Sequence, residues 1–374
     1  MDIEMYEEDS FLTFQHRAMA QSNCLWDRFR GWHHRRSRDG PHIPKTSTER
    51  LYPSMSTDEN HETVLYLAYG SNLSVETFRG NRGIKPLSQT NVQIPELKLT
   101  FDLPGIAYVE PCFANTARRD PDADVPKVML EHETLQTNDY HKDRWHKGLI
   151  GVVYEVTVAD YAHIIATEGG GAAYQDVQVD CYPFTSSDPA EAVPQFPTTR
   201  PFKAHTLFAP ARTEPLRYVQ DSGRLQRPDT SYAQPSARYL TLITDGAAEC
   251  LLPYEYQDYL NDIRPYTVTS NKQRIGQFVF LTIWLPIVMF IFALQRSFSD
   301  EKGVAPMWLK VLSGAMFQAS WSSYDSYFKG IFGDGERTTP KAEDDDWSGL
   351  QSSQKCKLLG RSRVDLSEKG LLEV

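Results

Sequence analysis

The chain has 374 residues, a formal net charge of −10 at pH 7 and a sequence pI of about 5.5. Its length suits one or two domains, and its acidic balance is evidence against a general nucleic-acid-binding surface. The five cysteines are scattered along the chain and form no CxxC pair. That pattern disfavours a disulfide framework or a cysteine-based zinc site, and it fits a reducing compartment.

The N-terminal segment, residues 1–61, is rich in charge, serine, histidine and proline, and we predict that it is a disordered tail. It has no charged segment followed by an apolar core of the kind that begins a secretory signal. A basic, aromatic run at residues 28–38 suits contact with anionic lipid or nucleic acid, but a solvated tail is the preferred interpretation. We predict no metal site at His33 and His34, because no further ligands lie nearby at a useful spacing.

The first globular element is an apolar run, residues 64–68, that predicts a buried strand. A turn signal follows it, formed by Tyr69, Gly70, Ser71, Asn72 and Leu73. We expect a short helix over residues 75–78 after this turn, with the preceding serine as its N-cap. A strand that ends in a tight loop at a helix N-terminus is suited to hold an anion or a carboxylate, although an ordinary strand–turn–helix junction has the same pattern.

Further apolar patterns continue to about residue 260. They predict strands over residues 92–103, 149–156, 174–182 and 202–208, and helices over residues 158–167, 235–247 and 253–260. Pro95 indicates an edge or a break in the first of these strands. Charged or proline-rich stretches at residues 117–147, 183–199 and 209–234 predict loops. Short strands mixed irregularly with short helices favour an α+β fold with a small barrel-like sheet.

Glu168 is the strongest candidate for catalysis, because it closes the predicted helix 158–167 just before a run of three glycines. A carboxylate there faces the negative end of the helix dipole, which disfavours its ionised form and suits general acid–base catalysis if the group is partly buried. An exposed glutamate at a helix end is the alternative. Tyr174 follows the glycine-rich turn, and its hydroxyl either reaches a substrate or packs in the sheet.

The segment 278–294 is apolar or uncharged throughout, and with residues 275–277 it approaches the ~30 Å thickness of a membrane's hydrocarbon core. We predict one transmembrane helix over residues 275–295, in which Pro286 is tolerable. A buried core helix is the alternative. Lysine and arginine are balanced on the two sides, so the positive-inside rule gives no orientation. Residues 304–332 are predicted to be an amphipathic or surface segment, and residues 333–374 a disordered tail.

Three blocks occur in an order that resembles the γ-glutamylcyclotransferase family, in particular its fungal branch with the cyclotransferases of gliotoxin-type clusters. They are YGSNL at residues 69–73, Glu168-Gly169 with the downstream Tyr174, and PSARYLTLITDGAAECLLPYEYQDYL at residues 235–260. The resemblance covers about residues 62–262. It implies a catalytic domain that is a small mixed β-barrel with flanking helices, without a metal or redox cofactor.

The resemblance also implies an intramolecular reaction, in which the α-amine of a γ-glutamyl group attacks its own γ-carbonyl, releases an amine and closes 5-oxoproline. Residues 69–73 would hold the γ-glutamyl group through backbone N–H groups, Glu168 would transfer the proton, and Tyr174 and Tyr239 would line the pocket. Two segments, 111–147 and 183–234, are longer than the family core. The spacing from Glu168 to Tyr174 is slightly shorter than in animal members of the family.

The leading hypothesis is therefore a membrane-anchored, single-pass γ-glutamylcyclotransferase with a role in glutathione turnover or sulfur-containing secondary metabolism. Its substrate would be a γ-glutamyl amino acid, glutathione or a glutathione conjugate. Because glutathione is mainly intracellular, the resemblance suggests that the catalytic domain faces the cytosol. The alternatives are a non-catalytic, membrane-tethered γ-glutamyl-binding module and a γ-glutamylamine cyclotransferase. No nucleic-acid partner is expected.

Overall fold

Five strands close into a barrel in the computed structural model, which describes residues 43–53, 62–119, 145–168, 175–209, 225, 227–300 and 304–339. Two further strands form a separate antiparallel hairpin. The strands are β1 (Thr63–Ala68), β2 (Ser88–Ile94), β3 (Leu97–Ile106), β4 (Glu110–Arg118), β5 (Leu149–Thr157), β6 (Gln175–Pro183) and β7 (Phe202–Phe208). The described residues from Pro44 onward belong to one compact unit.

The barrel is mixed, which confirms the fold class predicted from the sequence. Its order is β1-β5-β2-β6-β7, and every neighbouring pair is antiparallel except β7 with β1, which close the barrel in parallel. Strand β5 lies between β1 and β2, and its first six residues, 149–154, are all buried. A strand covered on both faces has a continuous apolar sequence rather than an alternating one, which explains its LIGVVY run.

The predicted strand over residues 92–103 is two strands, because the chain turns at Pro95 and Glu96 between β2 and β3. Proline lacks the N–H that a continuous ladder would need at this point. Strand β4 was not predicted, although it occupies the start of the long segment 111–147. It pairs with β3, and these two strands form a sheet that is separate from the barrel sheet.

The N-terminal part of the described chain packs on the barrel, although the sequence predicts a disordered tail through residue 61. It contains the short helix α1 (Thr48–Leu51). Arg50 donates from Nε to Glu155 Oε1 at 2.8 Å, and its Nη2 donates to the carbonyl and the side-chain hydroxyl of Thr63. The isolated bridge between Lys45 and Gln89 extends the contact. The ordered structure of this segment depends on the ion pair between Arg50 and Glu155 of the distant strand β5. The composition of the segment does not reveal that ion pair.

Three short helices flank the barrel: α2 (Val158–Thr167), α3 (Ala237–Glu249) and α4 (Tyr254–Asp262). Thr157 Oγ1 accepts the N–H of Asp160 at the start of α2 at 3.0 Å, as an N-cap does. Ser236 caps α3 in the same way, and Pro253 precedes α4. These local signals explain why the predicted starts of the helices agree with the structure.

A helical hairpin, residues 271–300 and 304–332, follows the barrel domain. It consists of α5 (Asn271–Phe298), α6 (Met307–Ser323), a π-helical turn (Tyr324–Phe328) and α7 (Lys329–Phe332). A capping box of Ser270 and Gln273 begins α5. Among the described residues, Asn271–Gln295 is one segment long and apolar enough to cross a membrane.

The helical hairpin contacts the turn between β3 and β4. The shared core is aromatic, and its buried members are Ala107, Tyr108, Phe280, Trp321, Tyr324 and Phe328. Trp321 Nε1 donates to the carbonyl of Gly105 at 3.1 Å, and Gln277 Nε2 donates to the carbonyl of Tyr108 at 2.7 Å. The β3–β4 hairpin therefore connects the barrel with the helices that follow it.

Candidate active site

The turn after β1 is shorter and tighter than the predicted strand–turn–helix junction. Residues Ser71–Leu73 form one turn of 3-10 helix, and a π-helix over Glu76–Asn81 replaces the expected short α-helix. The N–H of Leu73 donates to the carbonyl of Gly70 at 3.0 Å, so it is used within the turn. The N–H groups at the beginning of a helical turn have no partner inside it, which leaves the amides of residues 70–72 as the donors suited to a ligand.

Helix α3 packs directly against the backbone of this turn at Gly246. A Cβ atom at this position would lie 2.4 Å from the carbonyl carbon of Leu73 and 2.4 Å from the nitrogen of Ser74, far inside van der Waals contact. Only glycine therefore permits this approach of helix and turn. Cys250 Sγ also lies 3.5 Å from the carbonyl oxygen of Leu73. The turn is fixed by backbone packing against α3.

Glu168 stands directly beside this turn. Its N–H donates to the carbonyl of Ile164 at 3.0 Å, which ends α2. Its Oε1 accepts a hydrogen bond from Asn72 Nδ2 at 3.1 Å and lies 2.6 Å from an Arg82 guanidinium nitrogen. The Glu168 side chain is 20% exposed and that of Arg82 is 14% exposed. The structure thus brings together an acid and a loop that are about a hundred residues apart in the chain.

Asn72 connects Glu168 with a buried tyrosine. Its Nδ2 group also donates to Tyr66 Oη at 2.8 Å, which uses both of its hydrogens. Burial, followed by the negative charge of Glu168, raises the pKa of Tyr66, so its hydroxyl stays neutral. Asn72 Oδ1 is buried and has no hydrogen-bond partner among the described residues. An unpaired buried acceptor costs free energy unless a ligand supplies a donor.

Two other tyrosines predicted for the site, Tyr69 and Tyr239, lie within the described residues. Tyr69 Oη donates to the carbonyl of Leu207 in β7 at 2.7 Å. Tyr239 Oη accepts the N–H of Ala114 at 3.1 Å and would lie 3.4 Å from a Cβ atom at Gly70. Burial raises the pKa of both tyrosines, so both are neutral donors. Tyr174 and Gly169 lie outside the described residues.

Sequence reasoning missed two residues of this site, Tyr66 and Arg82. Tyr66 lies in β1 two positions before Ala68, where an aromatic residue is typical of sheet packing. Arg82 follows the π-helix and also donates to Thr167 Oγ1, so it spans the end of α2. Neither carries a motif, and their proximity to Glu168 depends on the fold.

A cavity of about 190 Å³ lies elsewhere, between β2, β6 and the loop after β6. Its lining includes Gln93, Tyr182 and Thr199, but none of the residues around Glu168. Chemistry rather than cavity size therefore locates the candidate site. In the described part of the chain, no three histidine, cysteine or acidic side chains are grouped so that they could hold a metal ion.

Comparison with known proteins agrees with these features. The γ-glutamyl cyclotransferase gliK of Aspergillus fumigatus is 31% identical over 277 residues, which are 74% of this chain and 90% of that protein. This chain belongs to the γ-glutamyl cyclotransferase family. A second family member, aclK of Aspergillus oryzae, is 28% identical over 285 residues, 75% of this chain and 92% of its own length. Family membership supports a cyclotransferase activity in general.

The helical hairpin has its own match. A family model described as the AclK C-terminal domain covers residues 270–331, which are nearly the bounds of the hairpin. Solved structures similar to this chain include a γ-glutamyl cyclotransferase, 19% identical with a TM-score of 0.35 over 57% of this chain and 96% of that one. Another is a yeast cyclotransferase specific to glutathione, 13% identical with a TM-score of 0.31 over 54% of this chain and 97% of its own.

Proposed function

We propose that this enzyme cyclises a γ-glutamyl amide to 5-oxoproline and releases the amine, with Glu168 as the proton-transfer group. The observation that carries the proposal is the hydrogen bond from Asn72 of the YGSNL turn to Glu168 Oε1. It places an acid within reach of the turn that would hold the γ-glutamyl group. A proton-transfer residue must lie about 3 Å from the atoms it serves, and this arrangement meets that condition for a ligand bound at the turn.

The reaction requires one bond to form and one to break. The α-nitrogen attacks the γ-carbonyl carbon, a five-membered ring closes, and the bond from that carbon to the leaving nitrogen breaks. Glu168 accepts the proton that the α-nitrogen loses and delivers it to the leaving nitrogen, so no proton is gained or lost overall. A binding site that holds the substrate curled supplies the proximity that the ring closure needs.

The surrounding residues have distinct parts in this proposal. The amides of residues 70–72 would bind the developing negative charge on the γ-carbonyl oxygen. The unpaired Asn72 Oδ1 would accept a hydrogen bond from the N–H of the substrate's α-nitrogen. Tyr239 and Tyr174 would line the pocket. Arg82 is a positioning residue, because its ion pair holds the Glu168 carboxylate toward the turn.

The substrate class that we propose is a γ-glutamyl amino acid, glutathione or a glutathione conjugate. A panel of γ-glutamyl-alanine, glutathione, a glutathione S-conjugate and a γ-glutamylamine, given to the purified full-length protein, separates these and also tests the γ-glutamylamine alternative. The product to measure is 5-oxoproline. Turnover that persists fully in Glu168→Gln would remove Glu168 from the reaction, and no product from any member of the panel would reject the activity.

A non-catalytic γ-glutamyl-binding module is the second candidate, and the ion pair between Arg82 and Glu168 favours it, since Arg82 and Asn72 already occupy Glu168 Oε1. This candidate predicts calorimetric binding of γ-glutamyl-alanine without release of 5-oxoproline. The cyclotransferase proposal predicts both binding and product.

We also propose that the protein is membrane-anchored through residues 275–295, with the barrel in the cytosol where γ-glutamyl substrates such as glutathione are concentrated. The support is the length and apolar character of Asn271–Gln295. Alkaline carbonate extraction of cell membranes tests the anchor, and release into the supernatant would contradict it. Digestion of the barrel by protease added to intact cells would contradict the cytosolic location.

A further inference from the structure

Helix α5 has an apolar surface that the rest of the described chain leaves uncovered. No charged residue lies between Arg274 and Arg296. Between these two arginines, eight large apolar side chains of the helix are exposed: Ile275, Phe278, Ile283, Leu285, Ile287, Met289, Phe290 and Phe292. At 1.5 Å per residue the charge-free stretch is about 31 Å long, close to the ~30 Å of a bilayer's hydrocarbon core.

The covered stripe of α5 is narrow. Phe280, Val288, Ile291 and Gln295 are buried, and they recur at helical spacing along one side. At 100° per residue the exposed apolar side chains occupy roughly 220° of the helix circumference. A helix that lies in the plane of a membrane has a charged or polar face opposite its apolar one. Between Arg274 and Arg296, α5 has no charged face of this kind, and protein covers its remaining side.

Helix α6 supplies that cover by running back along α5. Gln295 Nε2 donates to Ser313 Oγ at 3.0 Å near the tip, and Trp284 Nε1 donates to Ser323 Oγ at 3.1 Å nearer the barrel. Between these bonds, Met316 packs in a core with Val288 and Ile291. Small and hydroxyl-bearing residues that hydrogen-bond across a close helix pair are typical of helices that associate in lipid.

Both ends of the helical hairpin meet at the barrel. The N–H of Thr267, before α5, donates to Thr338 Oγ1 at 2.8 Å, and Gln273 Nε2 donates to the carbonyl of Asp334 at 2.8 Å. Asp325, at the barrel end of α6, is paired with Arg227. The chain therefore leaves the barrel domain and returns to the same place. A single crossing with residues 333–339 on the opposite side is incompatible with these bonds.

We propose that the helical hairpin crosses a lipid bilayer out and back, so that the barrel and the chain after residue 332 lie on one side and the tip lies on the other. This inference rests on the membrane anchor of the proposed function, and it replaces the single crossing predicted from the sequence with two crossings. Arg296, Asp300 and Lys310 flank the tip, and charges there favour the far headgroups over the hydrocarbon. Trp308 near the tip and Tyr327 near the barrel are both exposed, as aromatic residues at the two interfaces would be.

A second copy of the chain is the competing cover for the same surface. The bilayer is favoured because the charge-free length of α5 matches the hydrocarbon thickness and because charges and exposed aromatic side chains lie at the two ends of the hairpin. A contact between two copies would require neither. A wild-type protein that extracts without detergent and sediments as a soluble dimer would overturn the proposal.

The membrane topology can be measured on the full-length chain in sealed microsomes. Three reporters are needed: an epitope tag at each terminus and an N-glycosylation acceptor inserted at residues 299–306. We expect both tags to be equally sensitive to added protease and the acceptor to be glycosylated in the lumen. Tags on opposite sides would restore the single crossing and reject the proposal. An unmodified acceptor with both tags on one side would reject crossing by the tip.

Lipid contact is tested with a matched pair of double variants. Leu285→Asp with Phe290→Asp places two charges on the exposed face of α5, whereas Leu87→Asp with Phe196→Asp changes the same residue types at comparably exposed barrel positions. We expect the first pair to reduce the carbonate-resistant fraction at least fivefold and the second to leave it unchanged. Equal behaviour of the two pairs would overturn the proposal. These readouts do not depend on turnover, so an inactive protein with this topology would reject only the proposed activity.

Discussion

The barrel and the helical hairpin use apolar and polar residues in opposite ways. In the barrel, the polar residues around Glu168 are largely enclosed and hydrogen-bonded to one another, and the apolar side chains of β5 are buried on both faces of the strand. In the hairpin, polar side chains such as Gln295 and Ser313 pair in the interior, and Phe290 and Met289 face outward. This difference is what the proposed topology predicts, with water around the barrel and hydrocarbon around the hairpin.

The comparison predicts that all the residues needed for catalysis lie in the barrel domain. Glu168→Gln is the strongest test of this prediction. We expect 5-oxoproline formation to fall by about 10²–10⁴-fold, because a positioned acid–base group contributes that much. Membrane association should be unchanged. The control is Glu76→Gln, an exposed glutamate on the neighbouring π-helix, which should keep activity within about twofold of wild type. Equal losses in both variants would mean that charge near the turn, rather than proton transfer, matters.

Asn72→Ala should have the next largest effect. The substitution removes the hydrogen bonds from Asn72 to Tyr66 and Glu168, so the acid loses its direct bond to the turn and keeps its ion pair with Arg82. We expect kcat to fall about 10–100-fold, since misplacing a catalytic group by an ångström costs on that order. Steady-state kinetics with γ-glutamyl-alanine measure it. Unaltered kcat with a raised KM would assign Asn72 to binding alone.

Alanine substitutions of two glycines, one in the barrel domain and one in the hairpin, test how closely the chain is packed at each position. Gly246→Ala forces a Cβ atom into the backbone of the YGSNL turn, and we expect it to destabilise the barrel by about 1–3 kcal/mol. Gly314→Ala in α6 meets no atom within 4 Å and should be neutral or stabilise the helix by up to about 1 kcal/mol. Thermal unfolding in detergent measures both. A Gly246→Ala protein as stable as wild type would show that α3 and the turn are not held by close contact.

The smallest expected effect concerns the junction between the two regions. Burial opposes ionisation of Asp334, but hydrogen bonds from Tyr232 and from the N–H groups of Glu336 and Arg337 outweigh it, so its pKa lies below the ordinary value. A lowered pKa stabilises the folded state above the unfolded-state value of 3.8, and this contribution is lost as the pH falls through the folded-state value.

Asp334→Asn should remove that dependence. We expect wild type to lose stability relative to Asp334→Asn as the pH falls below about 3.8, with a nearly constant difference between the two above that pH. Hydrogen exchange of the segment around residues 333–338 reports the junction specifically. A difference that does not change with pH would place the stabilisation in the side chain's shape and not in its charge.

Local signals determined much of the fold from the sequence. The bounds of α2 follow from the Thr157 cap and the residues up to Glu168, and the apolar length of α5 is visible without coordinates. The YGSNL turn and the family resemblance indicated the barrel and the acid. These features depend on residues within a few positions of one another, where backbone propensity and capping act.

Only the tertiary structure decided which distant residues meet. Arg82 and Glu168 are paired although the strands β2 to β5 lie between them in the sequence, and the spacing of residues in the sequence does not indicate such a contact. The return of α6 along α5 and the bond from Thr267 to Thr338 likewise bring the two ends of the hairpin together, which the apolar length of α5 does not indicate. The physical reason is that a chain's local pattern specifies which faces must be covered, whereas packing of the whole chain specifies what covers them.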